Sequence, residues 1–375
     1  MSYDLPDQRR GMPTRYITLC VAEYCNLNCT YCYEHHKTSK RMSRETALQI
    51  LERELAHVCP CEYVCIEFFG GEPFLGFDTI KCACEYVASV LKPEQYIAFA
   101  TTNGVLVHGE IKEWLLAHPE FSCSLSLDGT REMHNINRSG SFDQIDLDFF
   151  AKQYPEQSIK MTVSRETLPH MAEGVIFCQE KGFTVSVNLA FGPDWSDSET
   201  VDILTEQLSL LIDYYLAHPD IKPCSMLDFD ITPIAYLKNT DHARKWCGAS
   251  TSMHTYDADG VCYPCQYFMP ITLGRERADA LKDTKLPEYI SLDHYPERCR
   301  SCCLLNICPM CYGSNYASTG DFFTVSEDMC LMTKVIMKAR AYFRALQIDT
   351  GQLSALSEEE MAYLCQAIMM IQNVE

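Results

Sequence analysis

Short runs of β-forming residues recur along the first half of the chain, and each is followed by a stretch with helical spacing. The runs are RYITLC (15–20), VCIEFF (64–69), YIAFATT (96–102), SCSLSL (122–127), IKMTV (159–163) and TVSVNL (184–189). The segment SRETALQILERELAHV opens on a capping residue, Ser43, and sets Thr46, Ala47, Ile50, Leu51 and Leu55 on one helix face. FDTIKCACEYVASVLK, EIKEWLLAH and HMAEGVIFCQEKG continue the pattern, the last closing on Gly182 as a helix stop. Strand and helix alternating six times imply βα units on a parallel sheet. Six units predict a partial (β/α)6 TIM-like barrel, open on one side, in the α/β class.

The pattern changes at about residue 236, after the helical stretch SETVDILTEQLSLLIDYYLAH. Residues 1–235 are expected to form the barrel, 236–335 a loop-rich, cysteine-rich domain, and 336–375 a helical tail from TKVIMKARAYFRALQ and SEEEMAYLCQAIMMIQ. In barrels of this kind chemistry sits where strands hand over to loops, at their carboxyl ends. The polar and glycine-rich motifs fall there: CNLNCTYC after the first strand, GGEP (70–73) after the second, TNG (102–104) after the third, SLDGTREMHNINR (126–138) after the fourth and SRET (164–167) after the fifth.

Composition narrows the chemistry. The chain has 375 residues and 22 cysteines, with neither an apolar signal-like run at the N-terminus nor a stretch near the ~20 apolar residues of a membrane span. A cytoplasmic protein with no membrane partner is expected, and reduced cytosolic thiols point to metal or catalysis rather than disulfides. Isolated cysteines (Cys20, Cys59, Cys61, Cys65, Cys82, Cys84, Cys123, Cys178, Cys224, Cys365) read as small buried hydrophobes. A formal charge of −20 excludes a nucleic-acid partner, which needs a basic face, and leaves basic or neutral substrates open beside a plain solubility role.

Three thiols, Cys25, Cys29 and Cys32, are spaced C-x3-C-x2-C. A [4Fe–4S] cluster ordinarily takes one thiolate per iron, so three clustered ligands leave one iron open. A structural zinc, completed by His35 or His36, is the competing reading. These residues and the motifs in order behind them resemble a radical S-adenosylmethionine (SAM) enzyme with a C-terminal SPASM domain, of the peptide-modifying, sulfatase-maturase-like subgroup. The similarity covers nearly the whole chain. It implies that the open iron binds the amino and carboxylate groups of SAM, and that one electron cleaves SAM to methionine and a 5′-deoxyadenosyl radical that takes a substrate hydrogen.

Carried over by resemblance, Tyr31 would pack on the adenine, and Gly70, Gly71 and Glu72 would approach the methionine amino group. Ser126 and Arg138 match positions that touch the ribose and carboxylate. Asn103, Asp128, Ser164 and Arg165 sit on the same rim and extend the candidate cofactor-binding set.

The second cysteine group runs from Cys247 to Cys330. Cys299, Cys302 and Cys308 show the C-x2-C-x5-C of a SPASM domain, and Gly260 ahead of Cys265 also fits. The resemblance implies one or two auxiliary [4Fe–4S] clusters: Cys299, Cys302, Cys308 and Cys330 on one, and Cys247, Cys265 and Cys311 on the other. Only PM separates Cys308 from Cys311, and GASTSMH follows Cys247 where sulfatase-maturing relatives carry a further cysteine. The second cluster therefore either keeps an open iron or takes Cys262; close CxxC pairs also suit zinc. Gln266 stands where sulfatase maturases have an aspartate base, and a carboxamide takes no proton at neutral pH.

The resulting expectation is a radical SAM oxidoreductase that matures a ribosomally made peptide through a thioether or a C–C/C–O cross-link. Sulfatase-maturase-like oxidation, peptide epimerisation, decarboxylation or excision, and a small-molecule reaction remain alternatives, as does an electron-transfer scaffold without catalysis. The expected partners are a peptide or protein substrate and an electron donor such as flavodoxin or ferredoxin. Only 24 residues precede Cys25, so leader recognition is expected from the barrel, the SPASM region or a separate leader-recognition protein.

Overall fold

The computed structural model describes residues 14–59, 62–155, 157–237, 242–245 and 247–374. The six expected strands form: β1 (Thr14–Ala22), β2 (Tyr63–Gly70), β3 (Tyr96–Thr102), β4 (Phe121–Leu125), β5 (Ile159–Val163) and β6 (Val185–Leu189). Four shorter ones follow: β7 (His242–Arg244), β8 (Met253–Tyr256), β9 (Cys262–Tyr263) and β10 (Tyr289–Ser291). One six-stranded sheet has the order β4-β3-β2-β1-β8-β9; every neighbouring pair in it is parallel except β8 with β9. β5 and β6 form a parallel pair, and β7 and β10 an antiparallel one.

The chain gathers into two compact units whose segments interleave along the sequence. The first contains Met1–Leu127, Arg138–Ser158 and Cys247–Glu288; the second contains Asp128–Asn137, Ile159–Trp246 and Tyr289–Glu375.

In the first unit, side chains alternate across the parallel strands. Ile17, Leu19 and Val21 on β1, with Val64, Ile66 and Phe68 on β2, form a fully buried apolar face, the kind that amphipathic helices cover in a βα fold. Ser43 caps the helix Arg44–Leu55, accepting from Thr46 N at 3.0 Å, and Ala47, Ile50 and Leu51 are its buried side. Phe74, Phe77, Trp114 and Phe121 interlock edge-on where Phe77–Val90 and Gly109–Ala117 meet the sheet.

β8 is held at the edge of β1 by a buried carboxylate. Glu54 accepts from His254 Nδ1 (2.7 Å) and from the Tyr256 hydroxyl, and the Arg15 guanidinium lies 3.6 Å away. Burial alone would raise the Glu54 pKa, but the bonds from His254 and Tyr256 and the charge of Arg15 bring it below the usual range.

In the second unit, the helices Glu327–Asp349 and Glu358–Gln372 pack Met337, Ala341, Leu364, Ile368 and Ile371 around Leu304 and Ile307, fixing the turn between Cys302 and Cys308. Ser357 and Glu360 close the start of the last helix as a reciprocal cap. The long helix begins at Glu327, so Cys330 and Lys334 belong to its first turns. Buried Arg340 ties it to the segment after β6, donating to Met226 O (2.7 Å) and Ser225 O (3.2 Å).

Among the isolated cysteines, Cys20, Cys65, Cys123, Cys178 and Cys224 are buried and Cys82 and Cys84 half-buried. Cys59 and Cys365 depart from the expectation and are exposed. Cys59 lies in the loop after a helix end, and Cys365 falls just outside the buried helix stripe of Leu364, Ala367, Ile368 and Ile371. Cys61 lies outside the described residues.

Glu54→Ala strands the His254 and Tyr256 donors, so chemical denaturation at pH 7 should show a loss of about 1–3 kcal/mol. Because folding lowers the Glu54 pKa, its contribution is complete above the unfolded value and fades as pH falls through the folded one. The gap between wild type and variant should therefore narrow below about pH 4.

Candidate active site and iron–sulfur ligands

Three candidate thiols lie on the loop that follows β1. Glu23 N donates to Lys40 O (3.0 Å) and Thr38 N to Glu23 O (3.0 Å), so residues 23–40 are closed at their base. Cys25, Cys29 and Cys32 are all half-buried, and Cys32 N bonds Cys29 O at 3.2 Å. Burial pushes the Cys25 thiol up to about 11, against the Leu27 N–H that donates to its sulfur at 3.4 Å. Lys37 Nζ sits 2.8 Å from Cys32 Sγ and 2.9 Å from Glu34 O. Donors aimed at ligand sulfur are what an iron–sulfur site uses to hold thiolate charge.

The GGE motif at the end of β2 supports this loop. Gly71 N donates to Ala22 O and Glu72 N to Tyr24 O, both at 3.0 Å. A Cβ on Gly71 would fall 2.5 Å from Tyr24 O and 2.9 Å from Cys25 Cβ, and one on Gly70, whose φ is +141°, 2.0 Å from Ala22 O. The glycines thus let two strand ends lie backbone to backbone under the first cysteine.

Glu72 is 1% exposed. Its carboxylate accepts from Thr102 Oγ1 (2.7 Å), Asn103 N (2.8 Å) and Phe74 N (3.2 Å). Burial nonetheless raises its pKa, opposed by those bonds and by the charge of Arg138. Asn103 Nδ2 donates to Asn26 Oδ1 at 2.8 Å and approaches Cys25 Sγ at 3.8 Å. Ser126 is half-buried, with its N–H on Thr102 O at 2.8 Å. The Arg138 guanidinium lies 5.4 Å from the Tyr31 ring centroid, and Ser139 Oγ accepts from Asn28 N at 3.0 Å. The first unit therefore brings together Cys25, Tyr31, Gly70, Gly71, Glu72, Asn103, Ser126 and Arg138, together with Cys29 and Cys32.

Asp128, Ser164 and Arg165 belong to the second unit, where each is already engaged by protein. Asp128 is fully buried and accepts from Thr162 N (2.9 Å) and Asn137 Nδ2 (3.2 Å). Ser164 and Thr167 bond each other across a tight turn (Ser164 N to Thr167 Oγ1, 3.0 Å). Arg165 pairs with Asp197 at 2.6 Å and donates to Asp194 O.

Cys299, Cys302, Cys308 and Cys330 line one small hollow with Leu304, Leu305 and Lys334. Cys308 is pushed up to about 12 by burial and then by Cys330, Cys302 and Cys299, so its charge is felt by all three neighbours. Cys303 turns elsewhere, its thiol 3.7 Å from Met370 O. A cluster with four irons needs four thiols around one void, and this hollow offers them.

Cys247 and Cys265 lie in the first unit and Cys311 in the second. Ser250 N donates to Pro264 O at 3.1 Å, which joins the Cys247 and Cys265 segments. Exposed Cys262 is engaged with Tyr256 near Arg53 and Glu54. The segment after Cys265 packs on the first cysteine loop: Tyr267 stacks on Tyr33 at 4.8 Å and His36 N donates to Ile271 O at 2.9 Å. Gln266 is 8% exposed, and its Oε1 has no hydrogen-bond partner among the described residues.

Among the described residues, no group of three or more His, Cys, Asp or Glu converges as a single metal ion requires. A cubane spaces one thiolate per iron and does not need that convergence. Sequence reasoning missed Asn26, Lys37 and Thr102. Lys37 is hidden in the polar run YEHHKTSK, and no spacing rule ties a lysine to a thiol five residues earlier.

The radical SAM superfamily model matches residues 19–206, half of the 375-residue chain, and the chain belongs to that superfamily. It is similar to the radical SAM cyclopropyl synthase TigE of Paramaledivibacter caminithermalis, 22% identical over 358 residues that cover 88% of this chain and 74% of that protein. The cysteine-type anaerobic sulfatase-maturating enzyme of Clostridium perfringens is 24% identical over 319 residues, covering 76% and 84%. Among solved structures, native anSMEcpe with bound AdoMet and the Cp18Cys peptide superposes with a TM-score of 0.67 at 18% identity, covering 90% of this chain and 99% of that one. Streptococcus suis SuiB bound to its precursor peptide SuiA gives 0.53 at 17% identity, covering 85% and 76%. These likenesses establish the partial-barrel radical SAM fold. The protein is a radical SAM enzyme, and its cofactors are [4Fe–4S] and SAM. Among the described residues, no helix is long and apolar enough to cross a membrane.

Gly71→Ala should displace the Tyr24–Cys25 backbone, since the added methyl has no room. After anaerobic reconstitution the variant should hold about four fewer irons per chain than wild type, the content of one cluster. Cys365→Ala, at an exposed position of the C-terminal helix, is the control and should keep them.

Proposed function

We propose that this enzyme modifies a peptide, maturing a ribosomally made precursor by an oxidative bond such as a thioether or a C–C or C–O cross-link. The observation that carries the reading is the pairing of two thiol sets in one chain. One is the Cys25/Cys29/Cys32 loop backed by Glu72, and the other the four-cysteine hollow of Cys299, Cys302, Cys308 and Cys330. TigE supports a bond-forming outcome by name, and the SuiB–SuiA and anSMEcpe–Cp18Cys complexes are relatives that hold peptides.

Bound at the first set, the cluster and SAM supply a 5′-deoxyadenosyl radical able to take hydrogen from an unactivated carbon. The chain's own residues do the placing. Cys25, Cys29 and Cys32 would hold three irons and leave the fourth to SAM. Glu72, fixed by Thr102 and Asn103, would stand with Gly70 and Gly71 at the methionine end, and Tyr31 backed by Arg138 would offer a face for the adenine. Cys299, Cys302, Cys308 and Cys330 would hold an auxiliary cluster that accepts the electron an oxidative product gives up.

Gln266 separates this reading from formylglycine formation, because its carboxamide cannot serve as the base. Cys247, Cys265 and Cys311 would hold a second auxiliary cluster. The electron donor is of the flavodoxin or ferredoxin class, and a separate leader-recognition protein could deliver the substrate.

Reconstituted enzyme given SAM and dithionite should release 5′-deoxyadenosine and methionine in equal amounts. Cys32→Ala should release neither, whereas Cys308→Ala should still cleave SAM. A wild type that leaves SAM intact, or a Cys32→Ala variant that cleaves it normally, would overturn the assignment.

A further inference from the structure

The loop that carries the first three cysteines also carries a cation aimed at one of them. Within residues 23–40 the chain turns back on itself, and Lys37 Nζ comes to 2.8 Å from Cys32 Sγ and 2.9 Å from Glu34 O. An ammonium has three donors. One is spent on the Glu34 carbonyl, which holds the group in place while another meets the sulfur. Lys37 is half-buried, whereas Lys40, farther along the same loop, is exposed and paired with Asp259. Drawing a lysine head out of water and fixing its side chain costs hydration and conformational freedom. A neutral thiol offsets little of that cost, and a thiolate offsets much more.

The sulfurs at the two ends of the motif are treated differently. Cys25 Sγ is met by the Leu27 N–H at 3.4 Å and approached by Asn103 Nδ2 at 3.8 Å, both neutral groups. Cys32 Sγ is met by a full positive charge. Net charge and hydrogen bonds at the ligand sulfurs set the potential of an iron–sulfur cluster. An added electron makes a group held by three thiolates more negative, so a cation in contact with one sulfur favours the reduced form over the oxidised one.

We propose that Lys37 is a positioning residue for the electron-transfer step, its ammonium held on Cys32 Sγ to raise the reduction potential of the cluster that Cys25, Cys29 and Cys32 would hold. The inference rests on that cysteine assignment. One electron passes to the cluster from a donor of the flavodoxin or ferredoxin class; no bond forms or breaks in this step, and no proton moves. Lys37 stays protonated throughout and acts through its attraction to the sulfur. It thereby decides how much of the enzyme a given donor keeps ready to cleave SAM.

The test is a redox titration of the reconstituted full-length enzyme, monitored by electron paramagnetic resonance and run without SAM so that no turnover consumes electrons. The signal followed is the component that changes when SAM is added afterwards, which marks the cluster with the open iron. Lys37→Met, close in length and neutral, should lower the ratio of reduced to oxidised cluster about tenfold at a fixed potential, which is a midpoint lower by about 59 mV for one electron. Lys37→Arg keeps the charge and should stay closer to wild type than to Lys37→Met. Lys40→Met removes an exposed, solvent-screened lysine of the same loop and should leave the midpoint where it is. All of these variants should hold wild-type iron.

An unchanged midpoint in Lys37→Met would overturn the proposal, as would an equal shift in Lys40→Met or a Lys37→Arg midpoint as low as that of Lys37→Met. Loss of iron from Lys37→Met would overturn it too, making the lysine a support for the loop. A wild type without any SAM-responsive signal would remove the cysteine assignment and the proposal with it. With that signal present and no shift, only the role of Lys37 fails.

Discussion

The active site depends on the contact between two strand ends. Gly71 and Glu72 at the end of β2 donate their backbone N–H groups to Ala22 and Tyr24 at the end of β1, immediately before Cys25. With no side chain at Gly70 or Gly71, the two backbones close to a distance that any Cβ would prevent. The same turn aims the Glu72 carboxylate at Thr102 and Asn103 on the next strand, and Asn103 reaches back to Asn26 and Cys25. Three consecutive parallel strands are thereby locked at their carboxyl ends, the edge where βα folds carry their chemistry.

A buried carboxylate is an expensive way to lock a turn unless its lone pairs are used. Glu72 spends them on two backbone N–H groups and a hydroxyl, so removing a partner would leave charge stranded in the interior. Glu54, on the helix after β1, serves a parallel purpose, fastening β8 through His254 and Tyr256 and reaching β1 through Arg15. Two buried glutamates therefore brace the sheet at separate points, and the cysteine loop is presented on that frame.

Much of this was legible in the sequence because it is local. The six βα alternations, the Ser43 cap and the strand-end positions of the cysteine, GGE and Asn103 motifs follow from period and spacing, and all six strands fall within two residues of the expected limits. What escaped is what long-range pairing decides. MHTY at 253–256 is too short to show a period, yet it completes the sheet beside β1. The segments 138–158 and 247–288 join the unit of the first strands, an interleaving that composition along the chain cannot register. The glycines of GGE suggested close approach to a cofactor; the structure adds a second reason, the docking of one strand end on another.

The central claim is that Cys25, Cys29 and Cys32 hold one cluster independently of a second set built on Cys299, Cys302, Cys308 and Cys330. Its most direct test is iron and sulfide per chain, after anaerobic reconstitution, for wild type and for the two cysteine-to-alanine sets made separately. The account predicts that each set removes about four irons and leaves the rest in place, the wild type starting from about eight or about twelve according to whether Cys247, Cys265 and Cys311 also hold a cluster. Iron content unchanged by loss of Cys25, Cys29 and Cys32, or zinc in place of iron throughout, would contradict it.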